Sequence, residues 1–176
     1  MSKYQIIASG VGGQGLLSFA NILGEAAAKA GMNVTVTTSY GAESRGTFTK
    51  ADLIISDESI AYPECETPDI VLCFAQVAYN KYVEAMTPGS ILIYDSGLVE
   101  PEENCAAVQY GHPFTEIARG LGREGSANLV AAGYMLKLKS ILEPAAVEEA
   151  LAAKFGKTQK IIDMNNSMIR SGLSLN

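Results

Sequence analysis

Residues 10–15 read Gly-Val-Gly-Gly-Gln-Gly, so four of six positions carry no side chain. A backbone cleared in this way lets another group approach closely and permits positive φ. A short apolar run, residues 4–8, precedes the stretch, and a segment of helical period follows it. The first N–H groups of a helix lack partners within it, and the helix dipole is positive at that end. A glycine loop ahead of a helix therefore suits an anion, above all a phosphate. Gly10, Gly12 and Gly15 fit G-x-G-x-x-G, a weak match that the flanking strand and helix strengthen. Two phosphate chemistries fit poorly. The loop of nucleoside triphosphatases needs Lys and Ser or Thr after its last glycine, and Leu16 and Leu17 stand there. A dinucleotide site wants an acid at the end of the second strand, which here ends Thr37-Thr38-Ser39, with the first acid at Glu43. The bland alternative is a tight turn that only lets the helix pack close.

A second stretch, residues 39–46, reads Ser-Tyr-Gly-Ala-Glu-Ser-Arg-Gly. Gly41 and Gly46 bracket Glu43 and Arg45 on one short loop. An Arg at this place is suited to pair bidentately with a phosphate, with Glu43 to orient it, and Tyr40 offers a flat apolar face with a polar tip. A solvated turn with an ordinary ion pair is the competing reading. Elsewhere, Asn128 follows Ser126 at a helix start, where capping is the stronger expectation and a place on the cleft the weaker. Asp95-Ser96-Gly97 ends a strand and reads equally as binder or turn. His112 is the one histidine; it precedes Pro113 and reads as structural. Cys65, Cys73 and Cys105 lie far apart without C-x-x-C, so they read as small buried thiols rather than cluster or zinc ligands.

These residues need a scaffold, and apolar runs alternating with helical patterns supply it. Strands are expected at 4–8, 34–39, 47–56, 70–74 and 91–94, with a further short one near Val108. Leu16, Phe19, Ala20, Leu23, Ala26, Ala27 and Ala30 fall on one helix face, and Gly31 stops that helix. Further helices are expected at 77–86, 113–121, 128–139, 144–155 and 159–170. The 47–56 strand alternates as if one face were wet. Alternating strands and helices imply a mainly parallel Rossmann-like sheet in a three-layer α/β/α arrangement, with residues 1–176 as a single domain. Ligands then bind beyond the carboxyl ends of the strands, where both glycine-bearing loops belong. The net charge is −6, with Lys and Arg scattered singly, which argues against nucleic acid and anionic membranes. No apolar run approaches the ~20 residues of a membrane span, and no signal region precedes the first strand, so a cytoplasmic chain is expected.

Taken together, "SGVGGQG", "TTSYGAESRG" and "LIISDESIAYP" resemble the γ chain, or γ domain, of 2-oxoacid:ferredoxin oxidoreductases. "EIARGLG…SANLVAAGYML", within residues 116–136, resembles the family's helix pair, so the likeness covers most of the chain. Thr47 stands where a second glycine is usual. "SDESIAYPECETPD" and "QVAYNKY" lean toward the 2-oxoglutarate type. The resemblance implies a complex that oxidatively decarboxylates a 2-oxoacid, transfers the acyl group to coenzyme A and passes two electrons to ferredoxin. Thiamine diphosphate, magnesium and iron–sulfur clusters would then belong to α, β and δ-type partners, and this chain would bind none of them tightly. Its own part would be to hold coenzyme A. Gly10, Gly12, Gly13, Gln14 and Gly15 would serve from the first loop, Gln14 at the coenzyme or a subunit interface. Tyr40, Gly41, Glu43, Arg45 and Gly46 would serve from the second, with Asn128 beside them, and the chain would be inactive alone. A free-standing nucleotide- or flavin-binding Rossmann-like oxidoreductase is the alternative at this point.

Overall fold

A computed structural model of the chain describes residues 2–40 and 47–176. Six strands form one sheet: β1 (Lys3–Val11), β2 (Asn33–Tyr40), β3 (Phe48–Ser56), β4 (Ile70–Cys73), β5 (Ile91–Asp95) and β6 (Val108–His112). Their spatial order is β2-β3-β1-β4-β5-β6. β1, β4, β5 and β6 run parallel. β3 lies antiparallel to both β1 and β2, so β2 again runs with β1. The sheet is thus mainly parallel, as its alternation with helices requires.

Among the described residues, six α-helices accompany the sheet: α1 (Leu16–Lys29), α2 (Gln76–Tyr82), α3 (Phe114–Gly120), α4 (Ala127–Leu138), α5 (Pro144–Phe155) and α6 (Gln159–Ser174). The strands alternate in side-chain direction, which divides the core in two. Ile6, Ala8, Leu72 and Ile93 face one side, where they pack with Phe19 and Leu23 of α1, Val130 of α4, Leu151 of α5 and Ile169 of α6. Ile7, Val71, Cys73 and Leu92 face the other, against Ala78 and Tyr79 of α2. α1 ends in a Schellman arrangement: Gly31 at φ +84° donates to the Ala28 carbonyl, and Met32 donates to that of Ala27. Among the described residues no helix is long and apolar enough to cross a membrane.

The wet face expected of β3 is not there. The strand is inserted between β1 and β2, and its residues are buried from Ala51 to Ser56. Its charges are handled locally. Lys50 and Asp52 point the same way, two residues apart, and the Lys50 ammonium donates to Asp52 Oδ2 at 2.8 Å. Asp52 is fully buried; Lys50 and the Cys65 N–H at 3.4 Å serve its Oδ2, while its Oδ1 has no hydrogen-bond partner among the described residues.

Candidate functional site

β1 continues through Gly10 and Val11, so the turn itself is only residues 12–15. Within it the Gln14 side chain folds back. Its Oε1 accepts from the Val11 N–H at 2.8 Å, and its Nε2 donates to the Phe74 carbonyl at 2.6 Å. A Cβ at Gly10 would fall on Gln14 Oε1. Gly10 therefore leaves room for Gln14, which ties the end of β1 to the end of β4. Gly15 sits at φ +72°, where its missing Cβ would lie 2.7 Å from Asn128 Nδ2. That Nδ2 donates to the Gly15 carbonyl at 2.9 Å, while Asn128 Oδ1 accepts from the Leu129 N–H at 3.0 Å. Rather than capping α4 in the usual way, Asn128 reaches across and props the turn from behind.

Gly12 and Gly13 differ from these two: nothing lies within 4 Å of a Cβ built on either. They line an open groove with Val11, Leu16, Leu17, Ser18 and Thr49. α1 begins directly behind it, and no side chain caps its first turn. The turn thus presents bare backbone and a helix start to the groove, the arrangement that favours an anion.

Gly41, Glu43, Arg45 and Gly46 lie outside the described residues. The strands that flank them do not. Val11 pairs with Phe48, Gly10 with Thr49, and Thr49 in turn with Tyr40. The second loop's two anchors therefore stand beside the glycine turn, on the carboxyl-side rim of β1, and Thr49 lines the groove itself.

Other rim residues serve the fold. Asp95 is fully buried; its Oδ1 accepts from the Gly97 N–H at 3.0 Å, and its Oδ2 accepts from the Thr115 N–H at 2.8 Å and the Thr115 hydroxyl at 2.6 Å. Asp95-Ser96-Gly97 is thus a turn pinned to the start of α3. His112 packs edge-on against Tyr134, with ring centres 4.4 Å apart. Burial, then Lys137, lowers its pKa against a smaller opposing contribution from the Asn176 backbone. Burial likewise pushes the Cys65 and Cys73 thiols up to about 12, so neither is a ready thiolate ligand.

One cation near the turn escapes sequence reading. Arg123 lines a cavity with Gly15, Ser18 and Asn128, and it makes no ion pair among the described residues. Its neighbour Glu124 is taken by Arg119 at 3.1 Å. The signal available was weak: a single Arg three residues before Ser126, in the gap between the two helical motifs.

Comparison with known proteins places this geometry among relatives. The family model described as pyruvate ferredoxin/flavodoxin oxidoreductase matches residues 5–175. The 2-oxoglutarate synthase subunit KorC of Methanocaldococcus jannaschii is 36% identical over 85% of this chain and 82% of its own. The γ subunit of a keto/oxoacid ferredoxin oxidoreductase from Geobacter sulfurreducens superimposes with a TM-score of 0.83 at 31% identity, over 96% of this chain and 95% of that one. A 2-oxoglutarate:ferredoxin oxidoreductase from Magnetococcus marinus, solved with 2-oxoglutarate, coenzyme A and succinyl-CoA bound, gives a TM-score of 0.90 at 26% identity. The match covers 98% of this chain but 31% of that longer one.

Proposed function

Because this chain belongs to the pyruvate ferredoxin/flavodoxin oxidoreductase family, we propose that it works as the γ-type subunit of a 2-oxoacid:ferredoxin oxidoreductase and holds coenzyme A there. The complex oxidises a 2-oxoacid by two electrons, releases carbon dioxide, joins the acyl group to the coenzyme thiol and reduces ferredoxin. The KorC relative favours 2-oxoglutarate as the acid. Thiamine diphosphate, magnesium and the iron–sulfur clusters belong to α, β and δ-type partners in this reading, and the assembly is cytoplasmic. The chain takes part as one γ-type domain and carries no catalytic side chain of its own.

One observation carries the coenzyme role: an open, uncapped glycine turn and the two anchors of the Arg45 loop share one edge of the sheet. Coenzyme A brings a pyrophosphate and a 3′-phosphate, and this rim brings backbone donors and a guanidinium. The N–H groups of Gly12, Gly13 and Gly15 receive phosphate oxygens. Gln14 and Asn128 hold the turn in shape. Arg45, oriented by Glu43, pairs with a phosphate, and Tyr40 lies beside it. Replacing Arg45 by Ala should raise the KM for coenzyme A in the assembled enzyme about tenfold or more, as loss of one charge-assisted pair does, with kcat little changed. An unchanged KM in an intact complex would remove Arg45 from the site. Purified alone, the chain should be colourless and inactive; a bound flavin or nicotinamide nucleotide would favour a free-standing enzyme instead.

A further inference from the structure

β2 ends the sheet on one side: β3 pairs with it along one edge, and no strand among the described residues lies along the other. Alternate residues of such a strand turn their N–H and C=O groups outward, where a further strand can pair with them. Proteins usually blunt an edge of this kind with charge, proline or a bulge. β2 has none of these. Asn33–Tyr40 reads Asn-Val-Thr-Val-Thr-Thr-Ser-Tyr, without a charge or a proline, and it pairs with β3 in unbroken register. α1 lies over the same edge. A Cβ at Gly24 would meet Val34 Cγ1 at 3.1 Å, Val36 Cγ2 at 3.2 Å and Leu53 Cδ1 of β3 at 3.6 Å, so the helix rides above the gap between β2 and β3. The two charged residues of α1, Glu25 and Lys29, both turn to α5, where they pair with Lys154 at 2.7 Å and Glu149 at 3.2 Å. The other flank falls at helical period to Leu17, Asn21 and Ala28, on the side of Gly24. Leu17 and Ala28 are exposed and Asn21 is half-buried. Strand edge and helix flank thus form one surface, two layers deep and free of charge.

This surface fits a copy of itself. Neighbouring strands lie about 4.8 Å apart, so two β2 strands joined across a twofold axis would set the two α1 helices about 10 Å apart, close to the 8–10 Å at which helices pack. One register also keeps like faces together. With the axis through Val36, that residue meets the partner subunit's Val36, and Thr35 meets the partner subunit's Thr37. The valines under α1 then continue under both helices, threonine faces threonine, and no like charges are brought together. We propose that β2 and α1 form the joint between two copies of this chain, which pair antiparallel across β2 and run their two sheets into one. An extended segment of any kind would satisfy the strand edge alone; the spacing of the helices selects a second α1 above it. The joint adds to the γ-type reading, without resting on the coenzyme role, that the assembly holds this chain in pairs.

The test is sedimentation of the full chain between about 1 and 100 μM, the range in which an interface at the small end of the specific class dissociates. The parent should pass from monomer to dimer as it is concentrated. Thr37→Lys charges the edge, yet within the chain it stands beside Asp52, its pair on β3, so the fold should keep it. It should weaken the dimer about tenfold or more, as burial of an unpaired charge does, and Thr35→Glu should do the same. In the double variant each carboxylate faces an ammonium across the axis, and the two pairs should restore about tenfold in affinity. Ala28→Glu, at an exposed helix position where substitution barely moves stability, should also weaken the dimer about tenfold. A chain that stays monomeric throughout overturns the joint. So does a dimer that Thr37→Lys and Ala28→Glu leave intact, because the copies then meet elsewhere. A monomer whose assembly with other subunits is blocked by Thr37→Lys overturns the second copy and gives the edge to a strand of another subunit.

Discussion

Gln14 occupies the space that Gly10 leaves open, so the two positions are one device. Gln14→Ala strands the Val11 N–H and the Phe74 carbonyl at the ends of two neighbouring strands. Two neutral hydrogen bonds, each worth about 1 kcal/mol net, put the loss near 2 kcal/mol, read from urea unfolding. Gly10→Ala drives Gln14 from its seat and should cost a similar amount. The double variant should then cost clearly less than the sum of the two, because the second change removes a contact already broken. Additive costs would separate the residues again. The glycine pattern was legible in the sequence as a demand for bare backbone, but its causes were not. Gly12 and Gly13 are bare toward the groove, whereas Gly10 and Gly15 are bare toward Gln14 and Asn128. A spacing pattern cannot tell room for a ligand from room for a side chain, and Asn128 comes from a helix more than a hundred residues away.

At the scale of elements, α4 and α6 meet backbone to backbone. A Cβ at Gly133 would fall on the Ile169 carbonyl oxygen, and one at Gly172 on that of Val130. Side chains are therefore absent from the centre of the crossing. Gly172→Ala should destabilise the fold by about 1–3 kcal/mol, the range for forcing one extra carbon into a packed contact, measured by chemical denaturation. α4 carries Asn128 and α6 carries Asn165, which line the cavity beside the turn, so the same variant should also loosen that cavity. Unchanged stability would mean that the helices separate freely, and their register would then not position the site. Period alone located the elements well: α5 spans Pro144–Phe155, and α6 starts at Gln159. It did not yield the direction of β3. An alternating strand looks the same run either way, and it looks half-wet when its polar residues are in fact buried beside a partner, as Asp52 is beside Lys50. Nor did it show that α4 is buried from Ala127 through Leu136, because a helix covered on every side has no polar stripe to set its phase.

At the scale of the molecule, the carboxyl-side rim exposes more apolar surface than its chemistry requires. Leu17 in the first turn of α1, Val77 in the first turn of α2 and Leu98 after β5 are 40%, 48% and 43% exposed. Leu17 borders the groove at Gly12, and Leu98 borders an adjoining hollow with Gly13, Gln14 and Phe74. Single exposed apolar residues are ordinary, but Leu17 and Leu98 both border the uncapped glycine turn, with Val77 exposed on the same rim. On the proposed coenzyme role, a partner seated on this rim would close the groove over the coenzyme and exclude water, which strengthens each phosphate contact beneath it. The family relative from Magnetococcus marinus embeds this fold in a chain about three times as long. Leu98→Glu tests the idea. At so exposed a position the isolated chain should lose no more than about 0.5 kcal/mol of stability. Assembly with its partners should fail or weaken by at least about tenfold, since a carboxylate would have to be buried unpaired at the joint. A parallel charge at Val108→Glu, exposed at the opposite end of β6, should leave assembly untouched. Co-purification and sedimentation of both variants decide the matter. If Leu98→Glu assembles normally with an unaltered KM for coenzyme A, the partner docks elsewhere and the groove works open to solvent.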